Sequence, residues 1–82
     1  MISDKALNEA RDLIAGFIVS RRNQLGLTQQ ELAERAGLGI ATVKRIELAK
    51  YIPDGKSLLK ICHALGCLNE FLQLFKNGAG NE

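Results

Sequence analysis

At 82 residues, 46% of them hydrophobic and 24% charged, the chain suits one domain with a modest core and is too apolar for disorder. Its longest apolar run, Leu13 to Val19, is broken by Gly16 and far shorter than the roughly 20 residues a membrane helix needs. The net charge of +2 is unevenly spread. Residues 1–20 and 61–82 each carry a net −1. Residues 21–60 carry +4, from Arg21, Arg22, Arg35, Lys44, Arg45, Lys50, Lys56 and Lys60 against Glu31, Glu34, Glu47 and Asp54. A basic middle between mildly acidic ends suits a polyanionic partner. After Met1-Ile2-Ser3 no basic stretch leads into an apolar one, so a cytoplasmic protein with no membrane partner is expected.

Strand-like alternation is lacking, and apolar residues recur at helical spacing. A first helix is predicted over about Asp4 to Leu25, with an apolar stripe of Ala6, Ala10, Leu13, Phe17, Ile14, Ile18 and Leu25. Gly16 weakens its middle, and Gly26 is placed to end it. Thr28-Gln29-Gln30-Glu31 has the capping-box spacing, with Leu27 and Leu32 set as a hydrophobic staple. The second helix then runs to Ala36, where Gly37 stops it. A third helix is predicted from Ile40 to Leu48, with Val43 and Ile46 inward. Asp54 can cap a fourth after the Pro53-Asp54-Gly55 loop, and Leu58, Leu59, Ile61, Cys62 and Leu65 give it an apolar face. A short fifth, about Asn69 to Phe75, presents Leu68, Phe71, Leu72 and Phe75, and residues 76–82 read as a flexible tail. The expected fold class is all-α, a five-helix bundle.

Two short helices joined by a Gly-x-Gly turn describe a helix-turn-helix. In the run Gln29-Gln30-Glu31-Leu32-Ala33-Glu34-Arg35-Ala36-Gly37-Leu38-Gly39-Ile40-Ala41-Thr42-Val43-Lys44-Arg45-Ile46-Glu47, Ala33 is small where the helices must cross closely. This stretch resembles the phage-repressor/Cro (XRE) family of helix-turn-helix transcriptional regulators. The likeness extends over about residues 14–75 and includes Arg22, the Leu25-Gly26-Leu27-Thr28-Gln29 entry, the Ile46-Glu47 exit and the later Pro53, Leu58 and Ala64-Leu65-Gly66. It implies a lambda-repressor-like DNA-binding domain over 14–75, with residues 1–13 as an N-terminal helical extension. It also implies a third helix that enters the major groove of double-stranded DNA, and a homodimer on a palindromic operator.

Carried over by the resemblance, Gln29 meets a phosphate at a helix N-terminus, where free N–H groups suit an anion. Gly39, Ile40, Ala41, Thr42, Lys44 and Arg45 match positions facing bases or the adjacent backbone, and Lys50 and Lys56 lie close enough in sequence to approach phosphates. Arg22 and Glu47 match a partly buried ion pair that ties the first helix to the third. Three positions depart from the family pattern. Gly39 stands where Ser or Thr caps the recognition helix, Ile40 replaces a polar base reader, and Ala49 replaces a Gly. Arg45 and Lys44 are left as the hydrogen-bonding readers, while Ile40 and Ala41 can touch a thymine methyl.

Each feature also has a plainer reading. Arg22 and Glu47 can be solvated charges, and Arg21, Lys50, Lys56 and Lys60 solubility residues. Ile40 and Ala41 can form a docking face for another protein, which makes an antitoxin-like interaction module on the same fold the alternative function. Cys62 and Cys67 read as small buried thiols rather than a disulfide or metal pair. His63 is the only histidine, and no nucleophile–base pair, metal constellation or phosphate cradle is written in the chain. No enzyme activity, cofactor or small-molecule ligand is expected. The expected core is Leu32, Ala33, Leu38, Val43, Ile46, Leu58, Ile61, Cys62, Leu65 and Phe71. Leu74 adds to the apolar surface of the fifth helix, which is the expected dimer contact, with Ala6, Leu7 and Ala10 as a second candidate.

Overall fold

Three helix starts coincide with side-chain acceptors. The computed structural model describes residues 1–80, with side chains as far as Asn77. Within it α1 (Asp4–Gln24), α2 (Gln29–Ala36), α3 (Ile40–Glu47), α4 (Gly55–Ala64) and α5 (Leu68–Gly80) follow in order, with no strand among the described residues. The Ser3 hydroxyl accepts from the Ala6 N–H at 3.1 Å, and Asp54 Oδ1 from the Ser57 N–H at 2.7 Å. At α2 the capping box is complete. Thr28 Oγ1 accepts from the Glu31 N–H at 3.0 Å, and the Thr28 N–H donates to Glu31 Oε1 at 2.9 Å. The Thr28 N–H, with a smaller contribution from the Thr28 hydroxyl, draws the Glu31 carboxyl below its ordinary range, and the Ser57 N–H and hydroxyl do the same for Asp54. α3 lacks a side-chain cap bond, because Gly39 stands at its N-cap.

Four helix ends share one device. The chain turns through a left-handed residue whose N–H, and that of the next residue, bond back to the last turn. Gly26, Gly37 and Gly66 fill that position after α1, α2 and α4, with φ of 70°, 67° and 73°. After α3 the residue is Ala49, at φ 60°. Its N–H reaches the Ile46 carbonyl, and the Lys50 N–H reaches that of Arg45, both at 3.0 Å. Here an L side chain occupies a conformation that glycine adopts freely.

The core joins Ile18 of α1, Leu32, Ala33 and Ala36 of α2, Val43 and Ile46 of α3, Ile61 and Cys62 of α4, and Leu65 and Cys67 of the α4–α5 turn. Leu38, Leu58 and Phe71, expected inside, are only half-buried and pack on its edge. The stripe expected on α1 divides. Ala15 and Ile18 are buried, whereas Leu13 and Phe17 are 74% and 51% exposed, because among the described residues no helix packs directly over them. Gly16 lies on the exposed side and does not interrupt the helix. Residues 76–80, expected as tail, continue α5, and residues 81–82 of that expectation lie outside the described residues.

Candidate nucleic-acid interface

The α2–α3 corner depends on close approach. Ala33 and Ala36 are buried at the crossing, and Gly37 turns the chain so that the Leu38 N–H reaches the Ala33 carbonyl at 2.9 Å. Eight-residue α3 then turns Val43 and Ile46 fully inward, each 1% exposed. Period 3.6 places Ala41, Lys44 and Arg45 on the exposed side. Gly39, Lys50 and Lys56 are also exposed, and Thr42 is half-buried. Ile40 differs from the exposed apolar residue expected at that position. It is half-buried and packs against the core, because the first residue of α3 leans back over the α2–α3 turn.

A partly buried polar brace holds this face. Arg22 Nε and Nη2 donate to Glu47 Oε2 and Oε1 at 2.7 and 2.9 Å, a two-pronged pair, and Nη1 donates to the Leu27 carbonyl at 2.8 Å. The side chains are 14% and 5% exposed, so the solvated-charge reading does not describe them. The carboxylate of Glu47 holds the Arg22 guanidinium protonated, raising its pKa. Gln29 Nε2 adds a further donor to Glu47 Oε1 at 3.0 Å. The brace therefore joins α1, α2 and α3 through one carboxylate. Gln29 consequently spends its side-chain N–H groups partly inside the protein. Its backbone amide and that of Gln30, in the first turn of α2, have no partner within their helix.

Charge follows from that pairing. Glu47 is the one carboxylate of α3 and is neutralised by Arg22, so the exposed side from Ala41 to Lys56 presents Lys44, Arg45, Lys50 and Lys56 against the cap residue Asp54 alone. Tyr51 is outside the positions that the resemblance marks. The Arg45 guanidinium lies over its ring, Cζ 5.5 Å from the centroid. The signal available was an aromatic residue just beyond the most basic turn, but only the fold-back at Ala49 brings the two together.

α1 and α5 border an open, mainly apolar groove of about 500 Å³, lined by Phe17, Phe71, Leu74, Cys62 and Cys67, with Arg21 and Glu70 among its walls and no residue of α3. Cys62 and Cys67 are buried thiols. Burial, with a smaller contribution from Cys67, pushes the Cys62 thiol up to about 11. Among the described residues, no group of three or more His, Cys, Asp or Glu side chains could hold a metal ion, and no helix is long and apolar enough to cross a membrane.

Against known proteins, a helix-turn-helix family model matches residues 18–68. Over 50 residues the chain is 43% identical to an "Uncharacterized HTH-type transcriptional regulator" of Methanothermobacter thermautotrophicus strain Delta H, a match covering 61% of this chain and 72% of that protein. No solved structure matches.

Proposed function

The chain belongs to the XRE/Cro-type helix-turn-helix family, and from that premise we propose that it is a sequence-specific, non-enzymatic regulator that sets α3 in the major groove of double-stranded DNA. The observation that carries the reading is the α3 face, basic on its exposed side and braced from behind by Arg22, Glu47 and Gln29. A rigid element holds reading groups more precisely than a loop does. In this reading Arg45 reads a base, its planar fork suiting guanine O6 and N7. Lys44, Lys50 and Lys56 meet phosphates, as do the free amides at Gln29 and Gln30. Ala41 and part of Ile40 touch thymine methyls, and Gly39 and Thr42 border the backbone. Residues 14–75 form the binding domain and residues 1–13 its helical extension. The protein-docking alternative loses support from Ile40, because its packing on the core leaves Ala41 as the sole fully exposed apolar residue in α3.

A homodimer on a palindrome follows, with half-sites about 34 Å apart, one turn of DNA. Its contact is the groove beside α5. That groove has an apolar centre with Arg21 and Glu70 among its walls, and Arg21 Nε donates to the Leu65 carbonyl of its own chain at 3.2 Å, so the apolar residues carry the self-contact.

The test is selection from a random DNA pool, followed by binding of wild type, Arg45→Ala and Lys44→Ala to the selected and scrambled duplexes over a range of salt. Arg45→Ala is expected to lose about 1–3 kcal/mol of discrimination at one base pair per half-site. Lys44→Ala is expected to weaken binding to both duplexes and flatten the salt slope by about one unit. Equal loss on both duplexes for Arg45→Ala overturns the reader assignment. Salt-independent binding overturns the DNA reading altogether.

A further inference from the structure

We propose that Tyr51 is a positioning residue for the base reader Arg45, a device built from the left-handed turn at Ala49. The inference rests on the DNA reading above.

Arg45 and Tyr51 are six residues apart, and on a continuing helix they would lie about 9 Å apart along the axis on different faces. The chain does not continue. Ala49 at φ 60° reverses it, and the paired bonds to the Ile46 and Arg45 carbonyls lock the reversal. The ring of Tyr51 is thereby carried back beneath the Arg45 guanidinium, 5.5 Å from Cζ to centroid. The ring itself is held in place. Tyr51 is half-buried and packs against the core, and Pro53, two residues on, is buried.

An arginine on an exposed helix face samples many rotamers, and ordering them opposes any two-pronged contact. A guanidinium resting on a fixed ring has lost part of that freedom before DNA arrives, and its planar edge remains open to pair with a base. Among the described residues no carboxylate pairs with it, and the one carboxylate of α3, Glu47, is held by Arg22. The turn is required for Tyr51 to reach Arg45, whichever residue makes it.

The experiment is a double-mutant cycle read on discrimination, the ratio of affinities for the selected operator and a scrambled duplex at fixed salt. Wild type, Tyr51→Leu, Arg45→Ala and the double variant are compared. Leucine keeps apolar bulk on the core and removes the ring face. Tyr51→Leu is expected to lower discrimination roughly two- to five-fold, the range of an exposed cation–π contact. In the Arg45→Ala background it is expected to have no such effect. Tyr51→Phe, which retains the ring, is expected to keep discrimination near wild type, and it also serves if the leucine variant folds poorly. A similar loss with and without Arg45 makes Tyr51 a packing residue and overturns the proposal while leaving the DNA reading intact. A gain in discrimination in Tyr51→Leu shows the ring withholding Arg45 and overturns it as well. If wild type itself fails to discriminate, the DNA reading fails, and this proposal with it.

Discussion

The Glu47 carboxylate accepts from Arg22 of α1 twice and from Gln29 of α2 once, at 2.7 to 3.0 Å. Removing it strands a guanidinium that is mostly out of water and leaves the Gln29 amide without its acceptor. Glu47→Ala is expected to destabilise the fold by about 3 kcal/mol, the lower end for breaking a buried ion pair. Glu34→Ala, which removes only an exposed bond to Gln30 within α2, is expected to cost less than about 0.5 kcal/mol. Urea denaturation of the two variants checks this, and equal midpoints would dismiss the brace. Backbone conformation gives a second contrast. Ala49 sits at φ 60°, whereas Gly16 sits exposed within α1, where an added Cβ meets nothing within 4 Å. Ala49→Gly and Gly16→Ala are opposite substitutions, yet each is expected to stabilise by about 0.5–1 kcal/mol, the first by relieving a left-handed side chain and the second by restricting the unfolded chain. Thermal melts of both single variants decide it.

At the level of elements, the helices flanking α3 depend on ionised caps. Asp54 and Glu31 both titrate below their ordinary values because backbone N–H groups bond the charged form. A depressed folded-state pKa means stabilisation that is present above the unfolded-state value, near 4, and lost as pH falls through the folded-state value. The melting temperature is therefore expected to fall on acidification below about pH 4. Asp54→Asn can still accept from the Ser57 N–H but does not titrate, so its melting temperature is expected to fall less over the same range. Parallel curves for the variant and wild type between pH 5 and pH 2 would show that the α4 cap is not among the groups responsible. The α3 N-terminus lies outside this effect, since Gly39 offers no side chain to titrate.

For the whole molecule, the unbalanced feature is apolar surface. Leu13, Phe17, Leu74 and Phe75 are each more than half exposed around α1 and α5, more than a small domain's core can explain. A second copy placed there removes this surface from water. Wild type is expected to be dimeric by light scattering without DNA. Leu74→Glu puts a charge at the groove wall, where the residue is 68% exposed in one copy. It is expected to shift the protein to monomer without changing helix content by circular dichroism. A monomeric wild type at high concentration would remove the groove from consideration as the contact.

Much of this protein is legible along the chain because its signals are local. The caps at Thr28 and Asp54, the stops at Gly26, Gly37 and Gly66, and the inward spacing of Val43 and Ile46 each involve neighbours within one or two turns. Such neighbours meet in any helix that forms. The helix count follows from them, and the family resemblance supplied the candidate reading face and the Arg22–Glu47 pair. Other features arise only where separate elements meet. The apolar stripe on α1 was readable, but not that Ile18 would be covered and Phe17 left bare, because burial depends on which helices arrive. Ile40 leans into the core and Gln29 turns to Glu47 for the same reason. Tyr51 meets Arg45 through a left-handed alanine, and nothing in alanine's local preferences announces that conformation. It persists because the packed helices on either side hold the chain in it.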